Sequence, residues 1–206
     1  MNARKTATLS AVLFSLAVSA GSVSAQGIRL GADIGPAFTT DEFSSNWKTG
    51  YCLGTHFFIL PFPTTMIQLG ARIAYDRWSS EDKSLTTLLP IPDPTASASG
   101  FQSYWEISPT VRLASDIKSS PLNAFVEAGY GLFVRNGQIL VHSTANTTDI
   151  SATYKSESVG ATVGAGVSLG LPYYVSIEIL PLYHFVFVPN SRSEFLTLSA
   201  AVMLGI

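Results

Sequence analysis

The chain has 206 residues, with 12 basic and 14 acidic side chains and a formal net charge of −2. That balance leaves no basic footprint for nucleic acid, and the single cysteine, Cys52, excludes an internal disulfide. The composition is 47% hydrophobic and only 13% charged, yet beyond residue 25 no stretch of about 18 apolar residues could cross a bilayer as a helix.

Residues 1–25 read as a secretory signal peptide. Arg4 and Lys5 give a positive start, Ala7 to Val18 is apolar, and Val23-Ser24-Ala25 is a small-residue cleavage site. The apolar run is too short for a membrane anchor. Cleavage after Ala25 leaves residues 26–206 as one domain. That domain carries 10 basic and 14 acidic residues.

The mature chain then alternates. Gly27 to Phe38 sets Ile28, Leu30, Ala32 and Ile34 against Arg29, Gly31, Asp33 and Gly35. Gly50 to Leu60 sets Tyr51, Leu53, Thr55, Phe57 and Ile59 against Cys52, Gly54 and His56. Met66 to Trp78 sets Ile67, Leu69, Ala71, Ile73 and Tyr75 against Gln68, Gly70, Arg72 and Asp76. Phe101 to Leu113 sets Trp105, Ile107, Pro109, Val111 and Leu113 against Tyr104, Glu106, Ser108 and Arg112. Pro109 is a blemish there, because it cannot donate a ladder hydrogen bond.

Asn123 to Arg135 sets Ala124, Val126, Ala128, Tyr130, Leu132 and Val134 against Phe125, Glu127, Gly129, Gly131 and Arg135. Residues 158–171, SVGATVGAGVSLGL, are apolar at every second position, with only Gly, Thr and Ser between. Tyr174 to Val188 sets Val175, Ile177, Ile179, Tyr183 and Phe185 against Ser176, Glu178 and His184. Phe195 to Ile206 closes the series, with Leu196, Leu198, Ala200, Val202, Leu204 and Ile206 on one face.

A period of two is a strand signature. These runs are longer than the usual 5–6 residues of a soluble strand and match the roughly 9–11 residues of a tilted transmembrane strand. The connections alternate between short (61–65, 115–122, 171–173) and long (39–49, 79–100, 136–157), with 189–194 the exception. Short turns at one end and long loops at the other are how outer-membrane barrels are built. Hydrocarbon offers no water to an open strand edge, so the sheet must close, and the first segment must pair with the eighth. The fold expected is all-β: an eight-stranded antiparallel up-and-down transmembrane barrel. The long 136–157 connection, with its apolar Ile139-Leu140-Val141, is suited to extend the wall as a hairpin.

Parity places Arg72, Glu106, Arg112, Glu127 and Glu178 inside at mid-strand. On the lipid side a midplane Arg or Lys would cost about 2–4 kcal/mol. Inside, burial demands partners, so a salt-bridged polar network across the lumen is expected. It reads as structure, because eight strands leave room only for side chains or one small ligand. His56 and Cys52 lie four residues apart on one strand, about 13 Å at ~3.3 Å per residue, too far to share a metal. His184 has no evident partner in sequence, and His142 precedes Ser143 in a loop. No catalytic, cofactor or metal role is assigned to any of them. Trp47, Tyr51, Tyr75, Trp78, Tyr104 and Trp105 lie near the long-loop ends; Phe57, Phe62, Phe125, Tyr173 and Tyr174 lie near the short turns. Two interfacial belts are expected.

On the segments GIRLGADIGPAF, NAFVEAGYGLF, VSIEILPLYHF and LTLSAAVMLGI, the chain resembles the small eight-stranded outer-membrane barrels of Gram-negative bacteria, the OmpX-like and OmpA-barrel-like group. The resemblance implies a non-enzymatic envelope protein with periplasmic termini and extracellular long loops. It implies outer-membrane lipid and lipopolysaccharide as surroundings, the barrel-assembly machinery as a partner in biogenesis, and a monomer with no cofactor. It names no loop partner. Members commonly end in an aromatic residue; this chain ends in Ile206. The competing readings are a narrow pore, a lipid-modifying barrel enzyme, and a lipocalin-like soluble carrier with its apolar face inward.

Overall fold

The computed structural model describes residues 27–40, 47–60, 66–80, 97–115, 121–142, 150–188 and 191–205. The signal-peptide segment, Phe62, Ile206 and the loop stretch 81–96 lie outside the described residues. Eight strands follow one another: β1 (Ile28–Thr39), β2 (Gly50–Ile59), β3 (Ile67–Ser79), β4 (Ser97–Ala114), β5 (Leu122–His142), β6 (Ile150–Gly170), β7 (Val175–Val188) and β8 (Ser191–Gly205). Each pairs antiparallel with the next, and β1 pairs with β8, so the sheet closes. The expected eight-stranded up-and-down topology is the one observed.

The strands differ from the expected segments mainly at the long-loop end. β5 and β6 each run 21 residues and stay paired to Val141–Ile150. Most of the stretch read as loop 136–157 is therefore hairpin. β4 starts at Ser97 and pairs with it as far as His142. The result is a three-stranded sheet that rises above the rest of the wall. Polar, β-capable Ser, Thr and Gln residues carry these extensions, where alternation of hydrophobicity no longer signals a strand. β8 begins at Ser191 rather than Phe195, since Val188 and Ser191 already pair.

Three prolines interrupt the ladders. Pro36 pairs with Tyr51 of β2, Pro109 with Ala71 of β3, and Pro181 with Leu198 of β8. On the opposite side of each the register skips two residues: in β1–β8, β4–β5 and β6–β7 respectively. A missing N–H removes a ladder bond. The closed barrel tolerates this because each strand keeps its other neighbour.

The apolar face is outside. Ile34, Leu53, Ile73, Ile107, Val126, Val163, Ile179 and Val202 are all exposed. Asp33, His56, Arg72, Glu106, Glu127 and His184 are buried. This is the reverse of a lipocalin-like carrier. A continuous apolar outer band has no place in water, whereas a closed wall with mid-strand carbonyls and amides paired to neighbouring strands suits hydrocarbon.

Candidate functional site: the lumen

Chemistry-bearing side chains converge in the lumen, and small residues make the room. Gly54 lies between Asp33 of β1 and Ala74 of β3 in register. A Cβ on Gly54 would stand 2.3 Å from the Asp33 carboxylate. Because it has none, Asp33 reaches over β2 toward Arg72. Gly160 likewise leaves space for the Phe133 ring, which a Cβ would meet at 2.6 Å.

Near the short-turn end, Arg112 is the hub. It donates through Nε and Nη2 to Glu127 at 3.0 and 2.8 Å, and through Nη1 to Glu178 at 2.7 Å. Its guanidinium lies between the Phe58 and Phe125 rings, 4.3 and 4.0 Å from their centroids. Arg29 donates to the other Glu178 oxygen at 2.8 Å and to Ser176 at 2.7 Å. Charge-assisted bonds of this kind are the strong ones. They join β1, β4, β5 and β7 across the tube.

At mid-height, Arg72 is the second hub. Its Nη1 donates to Glu106 at 2.5 Å. Its Nη2 lies 3.4 Å from Asp33 and 3.2 Å from the Cys52 sulfur. Ser108 donates to the second Glu106 oxygen. His56 meets Asp33 at 3.0 Å and stands 3.8 Å from Glu127, linking the two hubs. His184 lies 3.4 Å from Glu106 and 3.0 Å from the Thr197 hydroxyl.

Toward the long-strand end the polar network stops at an aromatic layer. Trp78, Tyr104, Phe133 and Phe195 pack with Ala37 and Val186. Tyr104 stacks on Phe195 at 5.5 Å, and Phe195 on His184 at 4.2 Å. Trp78 donates to the Ala37 carbonyl.

All five residues read as lumen groups point inward and are almost completely buried. They fall into two sets, Arg72 with Glu106, and Arg112 with Glu127 and Glu178. Sequence reasoning left Arg29, Asp33, Cys52, His56 and His184 out of the network, though alternation had put them on the same face. The available signal for Asp33 was Gly54 on the neighbouring strand, which lets that carboxylate reach beyond it. The belt expectation needs correction for four residues. Trp78 and Tyr104 belong to the inner aromatic layer, Trp47 packs against that layer, and Phe125 packs under Arg112. Parity overrides nearness to the strand end. Tyr51, Tyr75 and Trp105 do form an outer row, with centroids 6.3 and 4.9 Å apart. Among the described residues no three His, Cys, Asp or Glu side chains are grouped to hold a metal ion.

No protein-family model matches the sequence, and no curated relative matches it. Solved structures do share its shape. A major outer membrane protein from Thermus thermophilus superposes with a TM-score of 0.54 at 12% identity, covering 87% of this chain and 99% of that one. Neisserial surface protein A gives 0.49 at 15% identity, over 86% and 96% of the two chains. The outer membrane enzyme PagL gives 0.44 at 13% identity, over 86% and 99%. At these identities the likeness is one of fold. The chain has the fold of the small eight-stranded outer-membrane barrels.

Proposed function

We propose that the protein is a closed, non-enzymatic barrel of the bacterial outer membrane, with both ends of the described chain on the periplasmic side. The raised β4–β6 sheet faces the cell exterior. The observation that carries this reading is the filled lumen. Two hubs of paired charges and an aromatic layer lie across it, and a tube of eight strands has room for little besides side chains. The chemistry then available to partners lies on the exposed sheet and loops.

Conductance of the refolded protein in a planar bilayer tests the closed state. Insertion without unitary steps is the expected result; steady discrete steps at moderate voltage would replace it with the pore reading. Orientation is tested by labelling intact cells with an impermeant maleimide at Lys155→Cys. Labelling is expected, and its absence under conditions that label lysed cells would invert the barrel. Enzymatic chemistry is tested by comparing envelope lipids from a deletion strain with the parent by mass spectrometry; an altered lipid would overturn the non-enzymatic reading.

A further inference from the structure

We infer that the closed lumen is locked by two bound protons, one on His56 and one on His184, and that their loss on alkalinisation unlocks it. The inference deepens the closed-barrel reading and rests on it, since it says what the closure depends on.

The two hubs differ in charge. The Arg112 hub balances by itself, because Arg29 and Arg112 face Glu127 and Glu178. The Arg72 hub does not. Arg72 faces Glu106 and Asp33 there. Asp76 is completely buried within electrostatic reach of Arg72 and Glu106. One cation against three carboxylates leaves the hub two positive charges short. A tube of eight strands, filled by its own side chains, has no room for a shell of counter-ions, and an uncompensated buried charge is costly. Both lumen histidines, His56 and His184, stand against carboxylates of this hub. The third histidine of the chain, His142, is exposed at the end of β5. Protonating His56 and His184 brings the count to zero.

The contacts place the protons. His56 has a carboxylate against each ring nitrogen: Asp33 of β1 lies 3.0 Å from Nε2, and Glu127 of β5 lies 3.8 Å from Nδ1. A neutral imidazole carries one N–H and one lone pair. In either tautomer it would turn a lone pair toward a carboxylate, whereas the imidazolium offers an N–H to both. Arg72 of β3 is the register neighbour of His56 and opposes its proton, but Glu106 and Asp33 hold that guanidinium. Cys52, on the same strand as His56, turns its thiol toward Asp33 at 3.8 Å. His184 of β7 has Glu106 of β4 3.4 Å from Nδ1 and the Thr197 hydroxyl of β8 3.0 Å from Nε2. That hydroxyl accepts from an imidazolium as readily as it donates to a neutral ring. Asp76 of β3 lies within electrostatic reach of His184. The remaining neighbours of His184 are uncharged: Thr162 of β6 in register, the Phe133 ring of β5 at 6.3 Å and the Phe195 ring of β8 at 4.2 Å.

A free histidine is mostly neutral above about pH 7, so in that range the folded barrel holds two protons that the unfolded chain does not. Stability is then full near pH 6 and falls as pH rises, with the unfolding constant growing by up to about a hundredfold per pH unit. The direct test is nitrogen NMR of the histidine-labelled barrel in micelles at pH 8. Imidazolium signals are expected from His56 and His184, and a neutral signal from His142, which serves as the internal reference. A neutral signal from either lumen histidine would overturn the inference. Urea unfolding in phosphatidylcholine vesicles from pH 6 to 9 tests the linkage. The double variant His56→Gln with Asp33→Asn removes one proton site together with one carboxylate, so its pH dependence should drop to about tenfold per unit. Arg112→Lys, in the balanced hub, should keep the full dependence. An undiminished dependence in the double variant would overturn the role of His56. Unitary current steps should be absent at pH 6 and appear at pH 9; silence at both would overturn the unlocking and leave the closed barrel standing. Steps already present at pH 6 would overturn the closed barrel instead, and the lock with it.

Discussion

The two ends of the lumen solve the same problem with different chemistry. A tube of eight strands is too narrow for water to hydrate its contents, so whatever points inward must satisfy itself. Toward the short turns the filling is ionic: Arg72 and Arg112 each bind two carboxylates, and Arg29 shares one of them. Toward the raised sheet it is aromatic: Trp78, Tyr104, Phe133 and Phe195 interlock. The ionic half depends on exact pairing, because one missing partner strands a charge. The aromatic half depends on volume, because one missing ring leaves a hole. The two halves should therefore fail differently.

Arg72→Met gives the largest expected effect. It leaves Glu106 and Asp33 without their cation, and an uncompensated buried charge costs about 3–5 kcal/mol. Urea unfolding of the protein in lipid vesicles measures it. Adding Glu106→Gln should recover much of the loss; a double variant no better than the single would show that the pair is not coupled. Next comes Phe133→Ala in the aromatic layer, at about 3–4 kcal/mol for a cavity with limited collapse. Here no partner substitution should rescue. Brief current steps in planar bilayers should appear in this variant and be absent from Arg112→Lys, if the aromatic layer is the tighter seal.

The alternation was enough to read the strand count and the closure; which face meets lipid came from the length of the strands and the Gly-rich alternate face, not from alternation itself. Eight runs of period two have few other solutions at this length. The raised sheet was less legible: Asn136, Gln138, Ser151 and Thr153 are polar on a face that lies above the apolar band, so hydrophobicity cannot mark them as strand. The lumen network was half legible. Parity put the charges inside, but pairing depends on barrel stagger, and stagger places Asp33 of β1 against Arg72 of β3 across a glycine. That relation spans two strands and leaves only Gly54 as its trace. The aromatics misled wherever closeness to a strand end competed with parity, as at Trp78 and Tyr104.

A smaller effect of opposite sign is expected at the β6–β7 turn. Tyr173 and Tyr174 have φ of 64° and 61°, the left-handed region at both central positions of a tight hairpin. Asn-Gly is the pair that such a turn favours, and a non-glycine residue there costs roughly 1–2 kcal/mol. Both rings are almost fully exposed, at 92% and 85%. The double substitution Tyr173→Asn with Tyr174→Gly should raise stability by about 1 kcal/mol in detergent micelles. In vesicles the gain should shrink, because amphipathic rings at the bilayer edge contribute there. An equal gain in both media would mean that the rings do not anchor.

The smallest effect sharpens the ionic half by changing only its surroundings. Arg192 pairs with Glu194 at the rim, and Glu194 also accepts a hydrogen bond from Tyr183. The chemistry matches Arg72 with Glu106, but the Arg192 side chain is 57% exposed and the Arg72 side chain is fully buried. Water stabilises the separated charges of the exposed pair almost as well as each charge stabilises the other, and long side chains lose freedom in pairing. Arg192→Ala should therefore cost no more than about 0.5–1 kcal/mol. The cost should also fall as salt rises past about 0.15 M, where the screening length is near 8 Å. The loss in Arg72→Met should be nearly independent of salt, since no ion reaches the buried site. Equal salt dependence of the two variants would mean that electrolyte enters the lumen, and the closed-barrel reading would fail with it.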